Sequence, residues 1–89
     1  MSIKILISFE VRDFSEMKSV FDAAADARTE AGIAAEAYRN INAPNNAWII
    51  GTAPSKEAFT ALFSSPAQKE RIRNAGVISP PTVTLLESA

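Results

Sequence analysis

Ile3-Lys4-Ile5-Leu6-Ile7-Ser8-Phe9-Glu10-Val11 decides the fold, because every second side chain in it is apolar. Strict alternation of this kind, with β-branched residues, predicts a strand that has one face buried. We expect helices to cover the odd-numbered face. The even-numbered face mixes polar and apolar side chains, so it is neither an ordinary solvent face nor a full core face.

A helix is predicted directly after this strand. Asp13-Phe14-Ser15-Glu16 has the pattern of a helix N-cap with an acidic first turn. Apolar residues then recur at helical spacing as far as Ala31, and Gly32 stands where a left-handed residue would end the helix. The first helix is therefore expected over about 14–31.

A hairpin is predicted next. Residues 33–41 are bracketed by Gly32 and by an Asn- and Pro-rich turn over 40–46, which favours a strand, although their alanines would also permit a helix. The aromatic and β-branched run over 47–52 is typical of the returning strand.

The second half repeats the helix-then-strand order. Ser55 is the predicted N-cap of a second helix, which Ser65 and Pro66 interrupt before it resumes as far as Ala75. A final strand is expected over 82–87. The order strand, helix, strand, strand, helix, strand predicts one domain over 1–89: an α+β, ferredoxin-like βαββαβ sandwich whose four-stranded antiparallel sheet carries its helices on one face.

Composition excludes several classes of function. The 89 residues include no His and no Cys, which removes histidine catalysis, thiolate chemistry and the usual zinc ligands. The net charge of −1 gives no basic footprint for nucleic acid. The chain has no long apolar segment, so we expect no membrane span and, by default, a cytoplasmic location. No metal or cofactor is expected.

The tail carries a resemblance to a known group of proteins. Phe63-Ser64-Ser65-Pro66, the segment 74–77 and the strand Pro80–Glu87, with Val11-Arg12-Asp13-Phe14 in the first half, resemble dimeric α+β barrel proteins. That superfamily includes antibiotic-biosynthesis monooxygenases and stress-responsive A/B barrel proteins. The resemblance implies a homodimer whose two sheets face each other, which would cover the partly apolar even-numbered face.

Tyr38 and Trp48 are the leading candidates for a ligand site. If the hairpin is centred on Ala43, the two rings lie opposite each other on one face; a centre half a residue later breaks the pair. With Asn40, Asn42 or Arg39 as a polar donor they could form the wall of a pocket for an aromatic molecule. The alternative is a cross-strand aromatic pair that packs the sheet or a dimer interface.

Charged residues give weaker candidates. Arg28, on an otherwise apolar helix face, could bind an anion or could lay its stem along the core. Glu10 could be a base in an apolar cavity or an interface charge. Lys69, Arg71 and Arg73 are explained by solvation and by the helix C-terminus.

Two functions stay open on this sequence. The first is a small dimeric protein that binds a hydrophobic or aromatic molecule without catalysis. The second, implied by the resemblance, is a monooxygenase-like or isomerase-like enzyme that acts on an aromatic, polyketide-type substrate without metal or flavin. No catalytic residue is assigned; the pocket candidates are Trp48, Tyr38, Asn40 and Arg28.

Overall fold

A four-stranded antiparallel sheet with its helices on one face forms the protein, in a computed structural model that describes residues 2–88. The strand order across the sheet is β2-β3-β1-β4, as expected for a ferredoxin-like α+β fold. The elements are β1 (Ile3–Glu10), α1 (Phe14–Ala23), α2 (Ala25–Glu30), β2 (Ala34–Asn40), β3 (Ala43–Ala53), α3 (Lys56–Phe63), α4 (Pro66–Asn74) and β4 (Thr82–Leu86).

Strand register separates the two faces of the sheet. Ile7 pairs with Ile49 and with Val83, and these odd-numbered positions face the helices. Leu6 pairs with Ile50 and with Thr84, on the opposite side. The side without helices is called the open face. Its central residues are Leu6, Ser8, Tyr38, Asn46, Trp48, Ile50, Thr84 and Leu86.

The core lies between the odd-numbered face and the helices, as the alternation in β1 predicted. Ile5 is 1% exposed and Met17 of α1 is 2% exposed. Val11, after the end of β1, is fully buried and bridges to Val77. The buried apolar cluster comprises Ile5, Ile7, Val11, Met17, Ile33, Ala47, Ile49, Ala53, Phe59 and Ala75.

Side-chain caps start three of the helices where the sequence predicted them. The Asp13 carboxylate accepts a hydrogen bond from the Ser15 amide at 3.0 Å, Ser55 accepts from Ala58 at 3.1 Å, and Ser65 accepts from Gln68 at 3.2 Å. Each bond satisfies one of the free amides of a first helical turn. Gly32 ends the first helical region with a φ of 74°, a left-handed conformation that glycine adopts without strain.

The predicted helix over 14–31 is interrupted. Ala24 leaves helical geometry, with φ −94° and ψ 11°, and divides the segment into α1 and α2. At the break the Phe21 carbonyl accepts the Ala24 amide at 3.2 Å and the Arg28 side chain at 2.7 Å. The Arg28 side chain thus donates to a backbone carbonyl at the point where the regular helical hydrogen bonds are interrupted. Helix propensities along the sequence do not predict this contact.

The third strand is longer than predicted. It begins at Ala43 rather than at residue 47, and its pairing with β2 shifts at a bulge between Arg39 and Asn40. Pro44 lies in the bulged segment, where its missing N–H interrupts no ladder bond. The true turn is therefore Ile41-Asn42, shorter than the expected 40–46.

No helix within residues 2–88 is long and apolar enough to cross a membrane.

Candidate functional site

A cavity of about 110 Å³ lies between the helices and the odd-numbered face of the sheet; we call it the cleft. Both layers of the fold contribute to it: the floor comes from β1, β2 and β3, one wall from α1 and α2, and the other wall from α3 and α4. The main lining residues are Ile5, Ile7, Phe9, Met17, Val20, Phe21, Ala24, Arg28, Ile33, Ala35, Ile49, Phe59, Leu62, Phe63, Gln68, Arg71, Ile72 and Ala75.

Aromatic rings form two of the apolar walls. Phe59 and Phe63, one turn apart on α3, stack with their ring centroids 5.2 Å apart and an interplanar angle of 18°. The Phe21 ring, on α1, carries the Arg28 guanidinium on its face, with 3.7 Å from the guanidinium carbon to the ring centroid. Stacked rings and aliphatic floors suit an apolar or aromatic ligand.

Arg28 is the predicted candidate that the structure places in the cleft. Its Nη1 donates to the Phe21 carbonyl at 2.7 Å, so the side chain is anchored by its own helix pair. Partial burial lowers the pKa of Arg28, Asp22 opposes that effect, and the positive charge of Arg71 adds to the lowering. Arg28 and Arg71 both line the cleft, so two positive charges border the same cavity.

Arg71 and Gln68 complete the polar part of the cleft. The Arg71 Nη1 donates to the Gln68 Oε1 at 3.0 Å. The sequence placed Arg71 among solvated charges of α4, but it lies in the cleft together with Ile72. A signal for this position was present: residues 68, 71, 72 and 75 follow helical spacing and form the inward side of α4.

Trp48 and Tyr38 lie on the open face, on the opposite side of the sheet from the cleft. They are directly paired between β3 and β2, which is one of the two registers that the sequence left open. The turn itself is Ile41-Asn42, and the register shift between Arg39 and Asn40 brings the two residues opposite each other. The Tyr38 hydroxyl donates to Glu36 Oε2 at 2.7 Å. That hydrogen bond, and to a lesser degree the negative charge of Glu36, raises the pKa of Tyr38.

Asn46 joins the polar groups of the open face and was not singled out from the sequence. Its Oδ1 accepts from Trp48 Nε1 at 2.8 Å and from Asn40 Nδ2 at 3.0 Å. Its Nδ2 donates to Glu10 Oε2 at 2.7 Å and to Ser8 Oγ at 3.2 Å. The network fixes the Trp48 indole, and it uses Asn40 and Glu10 as structural partners of Asn46.

The four predicted pocket residues therefore do not meet in one place. Trp48, Tyr38 and Asn40 belong to the open face, whereas Arg28 belongs to the cleft. Within residues 2–88, no three Asp or Glu side chains come together in a way that could hold a metal ion. The chemistry that the cleft itself offers is apolar contact together with the N–H donors of Arg28, Arg71 and Gln68.

Comparison with known proteins connects this architecture to a fold group. No protein-family profile and no curated protein sequence matches the chain. Among solved structures, a candidate antibiotic biosynthesis monooxygenase of Bordetella bronchiseptica aligns with a TM-score of 0.81 and 17% sequence identity, over 99% of this chain and 97% of that one.

Two further structures extend the comparison. SnoaB of Streptomyces nogalater, a cofactor-independent oxygenase, has a TM-score of 0.79 at 17% identity, over 99% of this chain and 93% of its own. A conserved protein from Methanosarcina mazei has a TM-score of 0.81 at 9% identity, over 100% of this chain and 94% of its own. At these identities the likeness shows the fold: the chain has the ferredoxin-like α+β fold of antibiotic biosynthesis monooxygenase-like proteins, which confirms the resemblance drawn from its sequence.

Proposed function

We propose that this protein binds a small apolar or aromatic molecule in the cleft. The proposal rests on the cavity of about 110 Å³ between the helices and the sheet, a region that side chains would fill in a fully packed core. A cavity of roughly 150 Å³ lined by apolar side chains is large enough to bind benzene. The cleft is somewhat smaller than that, so it suits a ligand, or a ligand segment, of no more than one ring.

The working form in this proposal is a homodimer through the open face. Tyr38, Ile50 and Leu86 are 46%, 37% and 49% exposed there, beside the half-buried Leu6 and Trp48. Apolar side chains concentrated on one sheet face favour a partner surface, and a twofold contact is the commonest way to supply one. In this arrangement the dimer interface includes Trp48, Tyr38 and Asn40, and the ligand is bound by Arg28.

Binding without catalysis is favoured by the residues of the cleft. Its polar groups are two guanidiniums and one amide, Arg28, Arg71 and Gln68, which donate hydrogen bonds but do not accept a proton near neutral pH. Acid–base catalysis needs a group that changes protonation near the working pH.

A cofactor-independent oxygenase is the second candidate, and the likeness in fold to SnoaB favours it. It predicts oxygen consumption by the purified protein in the presence of a phenolic polycyclic substrate. The binding proposal predicts no oxygen consumption above that of a heat-denatured sample.

Filling the cleft tests the binding proposal. Ala24 is 8% exposed and lines the cleft, whereas Ala61 is an exposed residue of α3 outside it. In a fluorine NMR titration with 4-fluorobenzyl alcohol, we expect saturable line broadening with the native protein and with Ala61→Leu. Ala24→Leu should weaken binding about tenfold or more, because its side chain occupies the ligand volume.

Thermal melting of both variants shows that each is folded at the titration temperature. An absence of binding to the native protein would refute the proposal, and so would equal affinities of folded Ala24→Leu and Ala61→Leu.

A further inference from the structure

The cleft holds two positive charges, and Asp22 only partly offsets that of Arg28. Every salt bridge within residues 2–88 joins other side chains, and neither Arg28 nor Arg71 takes part in one. The three pairs are Arg12–Glu16 at 2.8 Å, Lys18–Asp22 at 2.7 Å and Glu70–Arg73 at 2.8 Å. Asp22, the carboxylate that acts most strongly on Arg28, is thus already engaged by Lys18.

Both guanidiniums are held in place yet keep donors to spare. Arg28 uses one N–H for the Phe21 carbonyl, and Arg71 uses one for Gln68. A guanidinium has five N–H groups in a rigid planar fork. No fully buried side-chain nitrogen within residues 2–88 lacks a partner, so the nitrogens of the two half-buried arginines that form no hydrogen bond are reached by solvent.

A second positive charge close to the first is unfavourable unless something compensates it. Two neighbouring arginines beside an apolar cavity combine a place for a ring with donors for an anion. Arginine is suited to planar anions because its fork can form two parallel hydrogen bonds to one carboxylate. The size of the cleft limits the apolar part to about one ring.

We propose that the ligand of the cleft is a monocyclic aromatic carboxylate, whose ring contacts the phenylalanine and aliphatic walls and whose carboxylate accepts hydrogen bonds from Arg28 and Arg71. This inference rests on the proposed function and adds the charge of the ligand. The competing explanation gives the arginines a structural role alone, in which their stems cover the core and their heads stay in water. That role predicts no preference for an anion.

Three fluorinated probes of equal size separate the explanations: 4-fluorobenzoate, 4-fluorobenzyl alcohol and 4-fluorobenzylamine. In fluorine NMR titrations at pH 7 and low salt, we expect the carboxylate to bind about tenfold more tightly than the alcohol, as expected for one charge-assisted hydrogen bond. The amine should bind most weakly. The preference for the carboxylate should shrink as salt is added.

Matched variants on α4 locate the effect. Arg71→Met keeps an apolar stem but removes the cleft charge, whereas Arg73→Met removes an exposed charge that pairs with Glu70. We expect Arg71→Met to lose the preference for the carboxylate over the alcohol. Arg73→Met should keep the preference. Arg28→Lys, which retains a charge but loses the planar fork, should weaken carboxylate binding less than Arg71→Met.

The outcomes are separable. If the carboxylate and the alcohol bind the native protein equally, or if Arg71→Met and Arg73→Met behave alike, the inference about charge is refuted while binding in the cleft stands. If none of the three probes binds, both the inference and the proposed function are refuted. Melting curves of the variants confirm that a lost preference reflects a lost charge and not an unfolded protein.

Discussion

The helix-covered face and the open face of the sheet belong to the same four strands but have opposite compositions. The covered face consists mainly of aliphatic and small side chains, such as Ile5, Ala47 and Ile49, which are at most 8% exposed. The open face carries the chain's one tryptophan and one tyrosine beside Ile50 and Leu86. The cleft lies over the aliphatic covered face, whereas the large amphipathic side chains of the open face suit a flat contact.

The comparison also separates two kinds of polar group. In the cleft, Arg28 and Arg71 form no salt bridge with a carboxylate of residues 2–88. On the open face, Asn46 has both ends of its amide engaged and holds Trp48 in place. In the proposed function the donors of the cleft bind the ligand, whereas the satisfied network of the open face gives a rigid surface. The two faces therefore have different functions in this account.

The largest expected effect is the loss of the proposed dimer when a charge is introduced on the open face. Ile50→Lys places a charge at the centre of the proposed dimer contact. Burying it unpaired would cost about 3–5 kcal/mol, so dissociation should become more than a hundredfold easier. Sedimentation equilibrium of the variant checks this. Ile41→Lys, in the hairpin turn where the native side chain is 96% exposed, is the control and should leave the mass unchanged. A monomeric native protein would contradict the dimer.

A somewhat smaller effect, on the free energy of unfolding, is expected from a substitution in the floor of the cleft. Ile5→Ala removes a side chain that is 1% exposed and should lower the free energy of unfolding by about 2–5 kcal/mol, since a cavity is enlarged in a packed core. Urea denaturation measures the loss. Ile41→Ala, at a 96% exposed position, should change it by less than about 0.5 kcal/mol. Equal losses at the two positions would show that the covered face is not the core.

The smallest effect concerns Tyr38. Its phenol donates to Glu36, and that hydrogen bond raises the pKa of Tyr38, so the protonated form is the one stabilised by folding. The stabilisation is complete below the pKa of an unfolded tyrosine, about 10, and is lost as the pH rises through the folded pKa. Because the chain has one tyrosine, ultraviolet absorbance follows this titration alone.

Replacing the acceptor sharpens the tyrosine prediction. Glu36→Ala should return the titration of Tyr38 towards the ordinary value for tyrosine, since both the acceptor and the negative charge are removed. Glu57→Ala, on α3, should leave the titration where it is in the native protein. A native midpoint at the ordinary tyrosine value would show that the Tyr38–Glu36 hydrogen bond does not persist in solution.

Much of the fold could be predicted because its signals are local. The alternation over 3–11 shows which face of β1 is buried, and Ser55, Ser65 and Gly32 mark helix boundaries through their own backbone chemistry. The break at Ala24 could not be predicted in this way. Alanine is the best helix former, and the interruption depends on Arg28 satisfying the Phe21 carbonyl.

The candidate site was harder to predict because it depends on long-range pairing. The hairpin register gives the Tyr38–Trp48 pair, but the side of the sheet on which the pair lies follows from Trp48 standing opposite Ser8 of β1. Asn46 carries no local signal of its role, since its four side-chain partners include Ser8 and Glu10, 38 and 36 positions away. Arg28, by contrast, was predictable as a charge on an apolar helix face.

One measurement tests the central claim that the two faces have different functions. In an isoleucine-methyl NMR spectrum titrated with 4-fluorobenzyl alcohol, the methyl groups of Ile5, Ile33, Ile49 and Ile72, which line the cleft, should shift with a common affinity. The methyl groups of Ile50, on the open face, should stay where they are, and so should the Trp48 indole N–H in a nitrogen-15 spectrum of the same titration. Shifts confined to Ile50 and Trp48 would place the ligand on the open face and contradict the account.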